Sequence, residues 1–199
     1  QVPVLKELLA AMGIPLLMME GYEADDLLGT AAKKSEEAGV DAVIVSGDRD
    51  LLQLATEKIM IRMPKTKRGV TEIENYHAQD VKDAYQVTPS QIIELKALMG
   101  DASDNIPGVP GIGEKTATNL IAAYGTIENA YAHVEEIKPK RAKEALKNHY
   151  DMAKMSKELA TICLEAPLTL SFENARLTNL YTPEAYEWCR KLNFKKLLG

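Results

Sequence analysis

The chain has 199 residues, 46% of them hydrophobic and 27% charged, a composition that supports a packed core and excludes intrinsic disorder and collagen-like repeats. At roughly 100–200 residues per domain, it makes one large domain or a core with a small appendage. A net charge of -5 argues against a uniformly basic nucleic-acid binder, yet residues 1–104 hold 11 Lys and Arg against 18 Asp and Glu, whereas residues 105–199 hold 13 against 11.

Acid is therefore concentrated in the first half. No apolar run approaches the ~20 residues that span a bilayer; the best candidate, Ile14–Met19, is cut off by Glu20. The expectation is a soluble chain without a signal peptide. Cys163 and Cys189 lack CxxC spacing, and His77, His133 and His149 are scattered. That excludes a disulfide scaffold and a Cys/His zinc site, and suits a reducing cytosol. The chain opens at Gln1 inside a helical pattern, as a fragment would.

Pro3, the apolar positions Val4, Leu5, Leu8, Leu9 and Met12, and Gly13 as a stop predict a short amphipathic helix. Ile14–Met19 then reads as a buried strand, residues 23–38 as a helix ended by Gly39, and Ala42–Val45 as a second apolar strand. Strand, helix, strand with continuous apolar strands is the βαβ pattern of a parallel sheet covered on both faces. A third strand, Lys58–Met63, leads into the basic turn Pro64–Gly69, and beyond residue 77 the strand signal fades. Thr88, Pro89 and Gln91 predict a helix start, with the helix running to Met99. After the turn Gly108–Gly113 comes a helix over 114–124 stopped by Gly125. Pro139 opens a longer basic helix with Lys140, Arg141, Lys143, Lys147, Lys154 and Lys157, and Pro183 opens a last one through Leu192. No internal repeat or low-complexity segment interrupts this order.

Three acidic clusters lie at element ends. Glu23, Asp25 and Asp26 follow the first predicted strand, Asp48 and Asp50 follow the second, and Asp101 and Asp104 follow a helix at i,i+3 spacing. Taken singly, each reads first as a helix cap or a solvated turn residue. As a set they point elsewhere, because two clusters stand at the carboxyl ends of parallel strands, where open α/β sheets place their sites. Carboxylates ~4 Å apart repel by ~4 kcal/mol at an effective dielectric of ~20, so a converging group needs cations. Only Arg49 lies within the first two clusters. Oxygen-only ligation favours Mg2+ or Mn2+ over zinc, and seven carboxylates suit two ions rather than one.

The turn Gly108–Gly113 lets backbone N–H groups approach a phosphate, and the helix that follows adds a favourable dipole. Lys115 and Thr116 extend the candidate contacts, which read backbone and not base. A lone glycine turn reads as easily as a packing or capping feature, and the basic helix after Pro139, by itself, as a solvated face.

Three segments taken together, Gly21–Asp26, Val45–Gln53 and Leu98–Ala117, resemble the 5′ nuclease (flap endonuclease) family over nearly the whole chain. They look most like the branch in which the nuclease is the N-terminal 5′–3′ exonuclease domain of a bacterial DNA polymerase, and the ending Cys189–Leu198 is similar to the segment that closes that domain. The resemblance implies an α/β fold, with a Rossmann-like (PIN-like), mostly parallel sheet truncated at its N-terminus. A helical region follows, carrying a helix-three-turn-helix at about 90–125; the division falls at 1–87 and 88–199. It implies that Glu23, Asp25 and Asp26 hold one Mg2+ or Mn2+, that Asp48 and Asp50 extend the site, and that Asp101 and Asp104 hold the second ion. It further implies that Gly108, Gly111, Gly113, Lys115 and Thr116 grip duplex DNA, with a potassium ion on backbone carbonyls of the turn. The reaction would be Mg-dependent hydrolysis of phosphodiesters at 5′ ends, flaps or nicks, in replication and repair. The setting would be the bacterial cytoplasm and nucleoid, with the domain covalently continuous with the polymerase.

In that family a preceding segment supplies the first strand, further aspartates and a basic arch that threads the 5′ strand, and this chain lacks it. The expectation is little cleavage by residues 1–199 alone. Three rivals remain. A non-catalytic DNA-binding module has no use for converging carboxylates, and a Mg2+-dependent phosphatase built on Asp48 and Asp50 leaves the glycine turn without purpose. A stand-alone 5′–3′ exonuclease relative fits less well with the ending at 189–198.

Overall fold

The computed structural model describes residues 1–198 apart from Arg68, and of Lys67 the backbone only. Helix α1 (Val2–Ala11) ends where Gly13 takes φ +68°. There Gly13 N donates to Ala10 O and Ile14 N to Leu9 O, both at 2.9 Å, the paired bonds of a Schellman cap. Helix α2 (Ala24–Glu37) ends the same way at Gly39.

The expected strand Ile14–Met19 does not form. The segment enters no sheet, and Leu16, Leu17 and Met18 are exposed. An apolar run becomes a strand only where a neighbour completes its ladder; here Ile14 N caps α1 and Pro15 has no N–H to offer.

The sheet has three strands in the order β1 (Ala42–Val45), β2 (Ile59–Lys67) and β3 (Val70–Tyr76). It is mixed where a mostly parallel one is expected: β1 pairs β2 parallel, with Ile44 opposite Ile61, and β2 pairs β3 antiparallel. The basic turn Pro64–Gly69 is largely absorbed into this hairpin, and its Arg68 lies outside the described residues. Strand β3 shows no apolar alternation. Cross-strand pairs hold it instead: Arg62 Nε donates to the facing Asn75 Oδ1 at 3.0 Å, the facing Thr66 and Thr71 hydroxyls lie 3.1 Å apart, and Lys65 pairs with Glu74.

The rest is helical: α3 (Ala78–Tyr85), α4 (Pro89–Met99), α5 (Glu114–Tyr124), α6 (Ile127–Ala132), α7 (Lys140–Ala160) and α8 (Pro183–Lys191). At the start of α4, Thr88 N donates to Gln91 Oε1 at 2.9 Å, the cap predicted from Thr88-Pro89-Ser90-Gln91. Helices α3 and α6, eight and six residues long, are not foreseen. One core runs from the sheet through α4, α5 and α7, with Leu52, Ile61, Leu98, Ile121 and Leu146 fully buried. The two chain ends meet separately, Thr182 Oγ1 donating to Ala11 O at 2.7 Å. Among the described residues no helix is long and apolar enough to cross a membrane.

Candidate metal centre and nucleic-acid interface

All seven carboxylates singled out in the sequence line two adjoining clefts. One, of about 550 Å3, is lined by Glu23, Asp25, Asp26, Asp48, Asp50 and Asp104; the other, of about 400 Å3, shares Asp48, Asp50 and Asp104 and adds Asp101. Local structure explains the convergence. After β1, Asp48 N donates to Ser46 Oγ (3.1 Å) and Asp50 N to Asp48 Oδ1 (2.9 Å), a tight turn that feeds a 3₁₀ segment, Asp50–Leu54. Leu51, Leu52 and Leu54 of that segment are buried, which pins Asp50 at the mouth of the core. After α4, a short bridge between Asp101 and Ile106 (N to O 2.8 Å both ways) turns the loop carrying Asp101 and Asp104 back on itself. Ser103 N and Oγ donate to Asp101 Oδ1 at 2.8 and 2.6 Å.

The seven are not equivalent. Asp50, Asp101 and Asp104 offer oxygens within 4.8 Å of one another. Asp26 accepts Glu23 N at 3.1 Å on one oxygen and Cys163 N at 2.9 Å on the other, so its carboxylate ties the start of α2 to the segment after α7. Gly29 permits that closure, since a Cβ there would stand 2.7 Å from Leu164 Cδ2. Asp25 faces the cleft: burial, then the charges of Asp48, Asp50, Glu23 and Asp26, raise its carboxyl above the ordinary range.

The counter-charge in the cleft comes from a residue outside the acidic clusters. Lys96, in the last turn of α4 with its side chain 7% exposed, reaches Asp50 Oδ1, Asp101 Oδ2 at 2.7 Å and Asp104 Oδ2 at 3.6 Å. Burial pulls the Lys96 ammonium down, but Asp101 and Asp50 outweigh it and leave it raised. The same contact, with Ser103, holds Asp101 well below the carboxylate range. Asp50 goes the other way, because burial together with Asp48 and Asp104 outweighs its bond to Lys96. The signal for Lys96 was present in the sequence, a charge set inside the apolar run Ile92–Leu98.

The glycine turn joins α4 to α5, and its glycines divide. Gly108, expected to offer its N–H to a phosphate, is buried and donates to Ser156 Oγ at 2.9 Å; a Cβ on it would lie 2.3 Å from Gly100 N. Its role is backbone packing against α4, a correction to the sequence reading. Gly111 (φ +90°) and Gly113 are exposed, and a Cβ on Gly113 would meet nothing within 4 Å. Lys115 is exposed and Thr116 half-buried at the start of α5. Arg141 at the start of α7, read from sequence as part of a solvated face, sets its guanidinium against Gly111, with Nε 3.5 Å from where a Cβ would be.

Two family models match consecutive stretches: the 5′–3′ exonuclease N-terminal resolvase-like domain over residues 1–86, and the 5′–3′ exonuclease C-terminal SAM fold over 87–182. DNA polymerase I of Bacillus caldotenax is 46% identical over 198 residues, covering 100% of this chain and 22% of that protein. The chain thus spans about a fifth of the length of the curated relative it matches. The zinc-bound T5 5′-exonuclease superposes with a TM-score of 0.65 at 27% identity, over 75% of this chain and 53% of that one. The bacteriophage T5 flap endonuclease, in a pseudo-enzyme–product complex with DNA and metal ions, gives 0.63 at 27% identity over 74% and 52%.

Proposed function

The chain belongs to the 5′–3′ exonuclease family, and from that premise we propose that it is the 5′ nuclease domain of a bacterial DNA polymerase I, hydrolysing DNA phosphodiesters beside 5′ ends and flaps in the cytoplasm. The observation that carries this reading is the convergence of the predicted carboxylates on two clefts that share Asp48, Asp50 and Asp104. A non-catalytic DNA-binding module would gain nothing from acids held this close. Residues 1–87 supply most of the acids, and residues 88–199 supply Asp101, Asp104 and the DNA-gripping turn.

The close trio Asp50, Asp101 and Asp104 is carboxylate oxygen throughout, and the larger cleft adds the Cys163 thiol to its acids; a donor set dominated by carboxylate oxygen fits Mg2+ or Mn2+. Asp50, Asp101 and Asp104, whose oxygens lie within 4.8 Å of one another, would hold one ion; Glu23, Asp25 and Asp48, spread along the adjoining cleft, would close on the other, and Asp26 fixes the start of α2 against the segment after α7. Two such ions supply charge stabilisation for both the attacking and the leaving oxygen of a phosphodiester. The chain's own part is to hold the substrate in line for attack. Gly111 and Gly113 leave room for a phosphate backbone, Lys115 and Arg141 add cations beside them, and backbone carbonyls of the turn would seat K+.

Hydrolysis of a 5′-flap duplex by the full-length polypeptide carrying this chain is the direct test. Asp50→Asn and Asp101→Asn should each slow it at least about a hundredfold, the scale of losing a preorganised charge contact in the transition state, while duplex binding persists. Unchanged rates in both variants would remove the metal assignment. Binding to nicked duplex should fall steeply with salt, and Arg141→Ala should reduce the slope of log affinity against log salt by about one ion. An unaltered slope would return Arg141 to the solvated face of α7.

A further inference from the structure

We propose that the Lys96 ammonium and a divalent cation compete for one seat, the Asp50–Asp101–Asp104 trio, so that Lys96 leaves the cleft as the metal enters. The proposal rests on the metal-site reading above and concerns a residue that reading does not use. Lys96 Nζ bonds Asp50 and Asp101 and stands 3.6 Å from Asp104, and the ligand oxygens of the three acids lie within 4.8 Å of one another. A Mg2+ held at about 2.0–2.1 Å from such oxygens would sit between them. That is where the ammonium now stands, and two like charges do not share the space.

Withdrawal is open to a lysine. Its ammonium is a compact point charge on a flexible four-carbon stem, whereas an arginine fork would be fixed to its carboxylates. The cleft of about 400 Å3 that Lys96 lines also carries Glu114, at the start of α5, on its wall. This gives the displaced ammonium a carboxylate within the same cleft. Among the described residues, no ammonium pairs with Glu23, Asp25 or Asp48. The trio is the group, among the described residues, that brings three carboxylate oxygens within 4.8 Å of one another, so the cation it takes is the one that must displace Lys96. With no cation bound, Lys96 keeps the trio from repelling itself.

Amine acetylation followed by mass spectrometry reads the exchange on the unaltered chain. Lys96 should react slowly in metal-free protein and severalfold faster at saturating Mn2+, while Lys157, tied to Glu94 and Glu128, keeps its rate. Calorimetry provides the second arm. Lys96→Met should bind Mn2+ at the trio about tenfold more tightly than the wild type, the scale of one charge-assisted hydrogen bond no longer displaced. If Mn2+ binds the wild type with unchanged heat in Asp101→Asn, the trio is no metal site and the reading beneath the proposal fails. If Asp101→Asn loses that heat but Lys96 acetylation does not rise with Mn2+, the competition alone is overturned.

Discussion

Gly108→Ala should cost about 4 kcal/mol or more, lowering the melting temperature by roughly 8–16 °C in a domain of this size. Two effects add. Gly108 has φ +63°, a left-handed conformation that costs a residue with a Cβ about 1–2 kcal/mol. The new Cβ would also stand 2.3 Å from Gly100 N and 2.6 Å from Met99 C, both backbone atoms that cannot rotate away. Relief means moving the turn off the end of α4, which breaks the bonds from Gly108 N to Ser156 Oγ and from Val109 N to Leu98 O. The neighbouring glycines provide the control. Gly111→Ala keeps the backbone strain of φ +90° but meets only Arg141 at ordinary contact distance, so about 1–2 kcal/mol is expected. Gly113→Ala has neither strain nor a neighbour within 4 Å, but Gly113 is the N-cap of α5, where Ala is disfavoured, so a small loss of about 0.5–1 kcal/mol is expected. Equal losses for all three in urea unfolding would mean that the packing of Gly108 against Gly100 does not hold the turn.

Those three glycines show where sequence and structure part. In the sequence they are alike, spaced for a turn; only the neighbour each one meets separates a packing glycine from two that face solvent. Local signals carried well. Helix α4 follows from Thr88, Pro89 and Gln91, α5 from its bounding glycines Gly113 and Gly125, and α8 from Pro183, because caps and stops act within a few residues. Signals that need a distant partner carried less well. Ile14–Met19 has the composition of a strand and no ladder, while Val70–Tyr76 lacks the pattern and pairs with β2 through polar side chains. The acidic clusters were legible as sets because each is local in sequence. That they open onto shared clefts follows from the strand-end rule for Asp48 and Asp50, but not for Asp101 and Asp104, which arrive through the packing of α4. Helix α4 also hid the two charges that matter most. Glu94 and Lys96 are 6% exposed, and a charge within an apolar run could be read only as an interruption until its partners were placed.

Glu94 anchors the other half of that arrangement, and cutting its ion pair should produce the second large loss. Lys157 Nζ on α7 lies 2.6 Å from Glu94 Oε1, and the other Glu94 oxygen accepts Ile127 N at 3.0 Å, so one buried carboxylate ties α4 to α7 and to the start of α6. Lys157→Met keeps most of the stem volume but leaves Glu94 charged, buried and short of its cation, a change that costs about 3 kcal/mol. Glu128, whose side chain is 52% exposed, also pairs with Lys157 at 2.9 Å. As a largely solvated partner it should contribute less than about 1 kcal/mol, so Glu128→Ala is the mild control. The pH dependence has a definite sign. Burial lowers the Lys157 ammonium, but Glu94 and Glu128 outweigh it and leave it above its ordinary 10.5. Its contribution is thus complete below that value and disappears as pH rises through the raised one. Burial raises Glu128, but Lys157 outweighs it and holds it below its ordinary 4.5, so the Glu128 part is complete above 4.5 and disappears as pH falls. The gap between wild type and Lys157→Met should therefore be flat from about pH 5 to 10, close above it as Lys157 deprotonates, and lose only the small Glu128 part below it. Urea unfolding at pH 4, 7 and 11 measures it. A gap that widens at pH 11, or one below about 1 kcal/mol at pH 7, would mean that the pair is solvated and that α4 is held by its apolar contacts alone.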